Sequence, residues 1–222
     1  MRNITSLNRA GGDSIKLHSL KRAVKILKDD GIKSLSLKLL DETRIYRRVL
    51  LLERPLDQIT PNIKPRIPVK IDLLKETEID EYLALYTGPN PSPAPGRFSS
   101  GHLCFVARYD GQIISASWAA TDKAWSHYLS REILLKQDEV YIFDSFTKPD
   151  FRGLSISPLV RAEMIRYFRS AGYRRMIIAV IPENRPNIRA VQKVGFSPFG
   201  IMGYIKLGPW RWDFHKANKI EG

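Results

Sequence analysis

Glu139-Val-Tyr-Ile-Phe-Asp-Ser-Phe-Thr-Lys-Pro-Asp-Phe-Arg-Gly-Leu-Ser-Ile-Ser157 carries the most structural information in this chain of 222 residues. Its β-rich first half predicts a strand over Val140–Thr147. The second half turns at Arg152-Gly153 and enters a helical pattern over 156–171, closed by Gly172. A strand that ends in a tight turn and opens a helix aims backbone N–H groups and a positive helix end at an anion. Gly153 admits close backbone approach, the small Ser155 and Ser157 keep the amides accessible, and Pro158 suits a first helical turn. An ordinary strand-to-helix turn would need no companion motif, yet one follows: Glu183-Asn-Arg-Pro-Asn-Ile-Arg-Ala-Val-Gln-Lys-Val-Gly-Phe196. This second stretch predicts an Asn-led helix over 187–194 that closes on Gly-Phe.

Outward from these stretches the order is regular. Downstream come a strand Met176–Val180, the helix, and a strand pair over 196–207. Upstream, Val69–Leu73 predicts a strand, Thr77–Tyr86 a helix and Thr87–Gly101 a proline-rich loop. Leu103–Arg108 and Ile113–Ala120 form a hairpin turned at Asp110-Gly111, and an excursion holding Trp125, His127 and Tyr128 leads back to Val140. Strands first, then β-α-β-α-β, give a mixed α/β (α+β) fold whose central sheet is partly antiparallel and flanked by helices. That domain is placed at 67–222. Residues 1–66 read as a basic N-terminal helical extension with a Pro-rich linker over 55–68. Leu17, Leu20, Val24 and Leu27 recur at helical spacing before Gly31, a second helix starts near Ser34, and Val49–Glu53 is a short buried strand.

Composition narrows the class. Hydrophobic residues make up 43% and charged residues 27%, as in a soluble globular protein. No apolar run approaches a membrane span, and no signal peptide is evident. The lone Cys104 lies in the apolar run Leu103–Val106 and reads as a buried strand residue suited to a reducing cytoplasm. The net charge of +13 is uneven. Residues 1–54 carry 13 Lys/Arg against 6 Asp/Glu, residues 55–151 carry 10 against 13, and residues 152–222 carry 13 against 4. The basic face of residues 14–28 fits either a helical hairpin with a solvated rim, the favoured reading, or peripheral contact with the anionic inner face of a membrane. Nucleic-acid binding is the lesser reading, because no zinc pattern, RNA-binding aromatic motif or clear helix-turn-helix accompanies the charge.

In order and spacing the two motifs resemble the GNAT acetyltransferase superfamily, whose members move an acyl group from acyl-CoA to an amine. In that pattern Gly153 takes the first glycine position, while Ser155 and Ser157 stand where Gly, or Gly/Ala, is usual. Asp150 occupies the Arg/Gln position, with Arg152 just before the glycine. Asn184 matches the leading Asn, Asn187 stands where Ala is common, and Val191 replaces a Tyr that often serves as general acid. The resemblance covers roughly residues 67 to 216.

The resemblance implies an acetyl-CoA or other acyl-CoA co-substrate and no metal. Arg152, Gly153, Leu154, Ser155, Ile156 and Ser157 would hold its pyrophosphate, with Asn184 and Asn187 nearby. Ser145, Phe146 and Thr147 would pair with the pantetheine arm, and an N–H near Phe143 would stabilise the thioester oxyanion. Asp144 leads as the base that takes the acceptor's proton, with Glu139 behind it. The general acid stays open between water, Tyr204 and no protonation before the thiolate leaves; His102 and His127 read as structural, and Trp118, Trp125 and Tyr128 fit either the wall of the acceptor pocket or the core. The implied activity is N-acyl transfer, by direct attack in a ternary complex, to a small amine such as an amino sugar or amino-acid derivative. A CoA-binding module without catalysis and a basic membrane or nucleic-acid adaptor are the competing classes. Oligomeric state is open.

Overall fold

β-Branched and aromatic runs dominate the segments between turns, and in the computed structural model they become strands. Residues 43–85 and 94–217 are described. The expected helices before residue 42, including the basic face of 14–28, and the loop residues 86–93 lie outside them. Contacts divide the chain into two units, 1–47 with 204–213 and 48–203 with 214–222. The larger unit contains part of every strand of an eight-stranded sheet.

The strands are β1 (Tyr46–Pro55), β2 (Lys70–Leu73), β3 (Leu103–Tyr109), β4 (Gln112–Ala120), β7 (Glu139–Thr147), β8 (Arg175–Val180), β9 (Ser197–Leu207) and β10 (Trp210–Ala217). Their order is β10-β9-β1-β8-β7-β4-β3-β2. Among the described pairings with a register, β7 and β8 alone are parallel, from Glu139↔Arg175 to Ile142↔Ile178. A separate hairpin, β5 (Lys123–Ser126) and β6 (Arg131–Leu134), occupies the excursion that sequence left without strands. The expected strand pair over 196–207 is one long strand, and its hairpin partner is β10. β1 lies inside the sheet and pairs with β8 from Leu50↔Val180 to Pro55↔Arg175, so residues 48–55 fall in the larger unit.

Helices α1 (Ile79–Ala84) and α2 (Ala94–Ser99) cover one sheet face near β3 and β4. There Tyr82, Leu85, Ala94, Cys104, Val106 and Trp118 form a buried cluster. The other face takes α3 (Ile156–Ser170) and α4 (Arg185–Gln192). Val160, Met164, Ile165 and Phe168 of α3 pack there on Val140, Ile142, Met176 and Ile178. Alternate residues of β7 and β8 therefore point to opposite faces, and this core fixes α3 against that parallel pair. α2 falls within the stretch read as a proline loop; Pro95 near its first turn is compatible with a helix start.

Candidate active site

Two local irregularities of β7 build the site. Opposite β4, Trp118 pairs with Phe143 and Ala116 with Phe146, so Asp144 and Ser145 together face Ser117. This is a β-bulge, and Asp144 takes its left-handed conformation at φ 47°. On its other side β7 parts from β8 after Ile142↔Ile178. Phe143–Thr147 continue along β4 with no ladder to β8 among the described residues, leaving main-chain groups open to a ligand. The hydroxyls of Ser145 and Thr147 bond those of Ser117 and Ser115 at 2.7 and 2.8 Å. These contacts hold the opened segment to β4.

The turn beyond β7 is tied back to it. Arg152 Nε donates to the Thr147 carbonyl at 3.1 Å. Gly153 and Ser155 both have positive φ, 80° and 62°, and Ser155 stands at the N-cap position of α3 without a side-chain capping bond. Glycine adopts that conformation freely, whereas the serine at 155 bears a steric cost. No hydrogen bond is recorded for the amides of Gly153, Leu154 and Ser155 among the described residues. They stand at the positive end of a 15-residue helix, joined there by Ile156 and Ser157. Lys193 Nζ, from beyond α4, donates to Ser155 Oγ at 3.1 Å and adds a cation.

Beneath the turn lies Arg161, which sequence reasoning did not single out. It is 1% exposed, donates to Ser157 Oγ and, at 2.8 Å, to Asn187 Oδ1, and has no carboxylate partner among the described residues. Burial pushes its pKa down to about 10, so it still carries its charge at neutral pH. A buried cation without a counter-ion adds to the attraction for an anion at the turn. Asn184 caps α4 by accepting from the Asn187 amide at 3.3 Å. Asn187 thus ties α4 to α3, while Asn184 caps α4.

Asp144 and Glu139 are not brought together. Asp144 Oδ2 lies 2.7 Å from Nη1 of Arg97, which is only 8% exposed. The Arg97 guanidinium sits 4.9 Å from the ring centroids of both Trp118 and Phe143. That contact holds Asp144 Oδ2 against a nearly buried cation beside the bulge. Glu139 is buried at the start of β7, where Oε1 meets Arg175 Nη1 at 3.0 Å and Oε2 accepts from the Lys136 amide at 3.1 Å. Arg97 and Arg175 were missed because their partners are distant in sequence.

Remaining candidates resolve by burial. Val191 is fully buried in the core. Tyr204 lies in the smaller unit, with the Arg211 guanidinium 4.2 Å from its ring centroid. The His102 ring bonds the Lys123 carbonyl at 2.9 Å, and burial lowers its pKa. Cys104 is 1% exposed, and burial pushes its thiol pKa up, as expected of an inert core cysteine. Among the described residues no group of His, Cys, Asp and Glu could hold a metal ion.

The profile of the Acetyltransferase (GNAT) family matches residues 72–196, more than half of the chain. The protein belongs to the GNAT acetyltransferase family. No curated protein matches by sequence. Among solved structures, a putative GNAT acetyltransferase from Novosphingobium aromaticivorans is 20% identical with a TM-score of 0.51, over 71% of this chain and 63% of that one. The match therefore spans less than two thirds of that relative's length. The glucosamine N-acetyltransferase region of a fungal multi-domain GH3 β-N-acetylglucosaminidase is 16% identical with a TM-score of 0.51, over 84% of this chain and 23% of that one. The ribosomal-protein-S18-alanine N-acetyltransferase of Escherichia coli is 15% identical with a TM-score of 0.47, over 59% and 78% of the two chains. At these identities the likeness to the first two, each with a TM-score of 0.51, speaks to the fold alone, a mixed α/β GNAT architecture.

Proposed function

We propose that this protein transfers an acyl group, most simply acetyl, from acyl-CoA to the amine of a small acceptor. The observation that carries this reading is the parting of β7 from β8 directly before an amide-lined helix start. The Gly153–Ser157 amides, with Arg161 and Lys193 behind them, suit a pyrophosphate. The open main chain of Ser145–Thr147 suits an amide-bearing arm, and a backbone N–H near Phe143 suits the developing oxyanion. Bound acyl-CoA supplies an activated thioester. The amine nitrogen forms a C–N bond to the acyl carbon as the C–S bond breaks, the nitrogen's extra proton passes to water, and the thiolate departs. A thiolate is a tolerable leaving group near neutral pH, so Val191 in place of a tyrosine does not prevent turnover.

The bulge places Asp144 beside this opening, and Arg97 fixes it there. We assign the pair the task of holding the Phe143–Thr147 backbone in its open form. The test is thiol release from acetyl-CoA with a panel of primary amines, followed with a thiol reagent. Amine-dependent release supports the proposal. Tight acetyl-CoA binding with no release for any amine removes the catalytic part and leaves a binding module.

A further inference from the structure

On the sheet face opposite α3, within the larger unit, is a cavity of about 430 Å³. Its walls are largely apolar: Leu51, Tyr141, Ile177, Ala179, Phe199 and Met202, with β6 along one side. That volume falls in the range of small-molecule sites. One end reaches the opening in the sheet, because Tyr141 and Ala179 line the cavity and flank the last β7–β8 pair, Ile142↔Ile178. The other end lies at the first pair, Glu139↔Arg175. Three residues of strand separate the ends, about 10 Å.

The far end is charged. Glu53 and Glu139 are 5% and 7% exposed, and they share a single guanidinium. Arg175 Nε meets Glu53 Oε2 at 2.5 Å, and its Nη1 meets Glu139 Oε1 at 3.0 Å. Two buried carboxylates against one arginine leave one negative charge uncompensated, which is costly in a poorly hydrated site. Lys136 and His215 also line the cavity, but both are exposed rim residues, and only the Lys136 backbone amide is recorded reaching a carboxylate. No partner is recorded for Glu53 Oε1 among the described residues.

Building on the acyl-transfer reading, we infer that the acceptor is a linear diamine. One ammonium is held by Glu53 and Glu139 at the charged end, and its methylenes lie along the apolar walls. The other amine stands at the opening of the sheet. There it loses its proton to water and takes the acyl group from the thioester, releasing the thiol; the anchored ammonium keeps its proton. An amino sugar fits these walls poorly, since its hydroxyls would be buried against Leu51, Ile177 and Met202 without partners. A simple alkylamine fills the walls but leaves the carboxylates uncompensated.

The full-length protein tests this with hexamethylenediamine and hexylamine, probes of equal carbon length that differ by one ammonium. With acetyl-CoA as donor, KM for the diamine should be lower by roughly tenfold or more, the scale of one charge-assisted contact. Glu53→Gln should collapse that difference, and the wild-type comparison stands even if the variant folds poorly. Equal KM values for the two amines overturn the inference and leave acyl transfer intact. Calorimetry without donor separates the two ideas further. If the diamine binds and hexylamine does not, yet neither releases thiol, the diamine site stands and the acyl-transfer reading falls. If neither amine binds and neither reacts, both are overturned.

Discussion

Replacing Asp144 by Asn removes one charge and almost nothing else. Asparagine tolerates a left-handed backbone, so the φ of 47° at this bulge adds no strain. What is lost is the partner of Arg97, whose side chain is 9% exposed and stacked between Trp118 and Phe143. Stranding one member of a buried pair costs roughly 3–5 kcal/mol. The low end applies here, because Asp144 is 21% exposed and the two ring faces retain part of the interaction with the cation. About 3 kcal/mol corresponds to a Tm loss of roughly 6–12 °C for a chain of this size. Scanning calorimetry of the purified variant measures it, alongside kcat for thiol release. Adding Arg97→Met should restore most of the loss, since the double variant buries no lone charge. An Asp144→Asn protein with unchanged Tm and acyl-CoA affinity, but kcat lower by about 10²-fold, refutes the argument and makes Asp144 the proton acceptor.

Gly153→Val should weaken acetyl-CoA binding at least tenfold by calorimetry while costing about 1 kcal/mol of stability, because valine is disfavoured at its φ of 80°. A β-carbon there meets nothing within 4 Å in the protein, so a large affinity loss is attributable to the blocked ligand approach and the altered backbone. The Glu81 carboxyl is pushed up by burial, but the Arg108 hydrogen bond and the Ile113 amide outweigh this and hold its pKa below the ordinary value. A depressed acid contributes stability above its unfolded pKa and loses it as pH falls through the folded one. Glu81→Gln should therefore narrow the gap in Tm between pH 7 and pH 3, read by circular dichroism.

The strand, turn and first long helix were legible because their signals are local. The β-branched and aromatic enrichment over Val140–Thr147, Gly153 with its positive φ and Gly172 at the helix end each act within a few residues. The bulge was not legible, since nothing in Phe143-Asp-Ser-Phe146 says which residue will leave the ladder. Arg97 was hidden in a proline-rich stretch that reads as loop, and its roles as ion-pair partner and ring-stacked cation exist only after β4 and β7 pair. Val49–Glu53 was correctly read as a strand, but its place beside β8 depends on a long-range pairing that no local pattern encodes. That same pairing brings Glu53 to Arg175 and Glu139, and so creates the charged end of the cavity.

The central claim is that acyl-CoA lies along the opened backbone of β7 and ends on the amides that start α3. Hydrogen–deuterium exchange with and without acetyl-CoA measures this directly, peptide by peptide. The expected result is added protection over Phe143–Thr147 and Gly153–Ser157, with residues 70–73 and 103–109 unchanged. Saturating acetyl-CoA that leaves both segments exchanging at their free rates would contradict it.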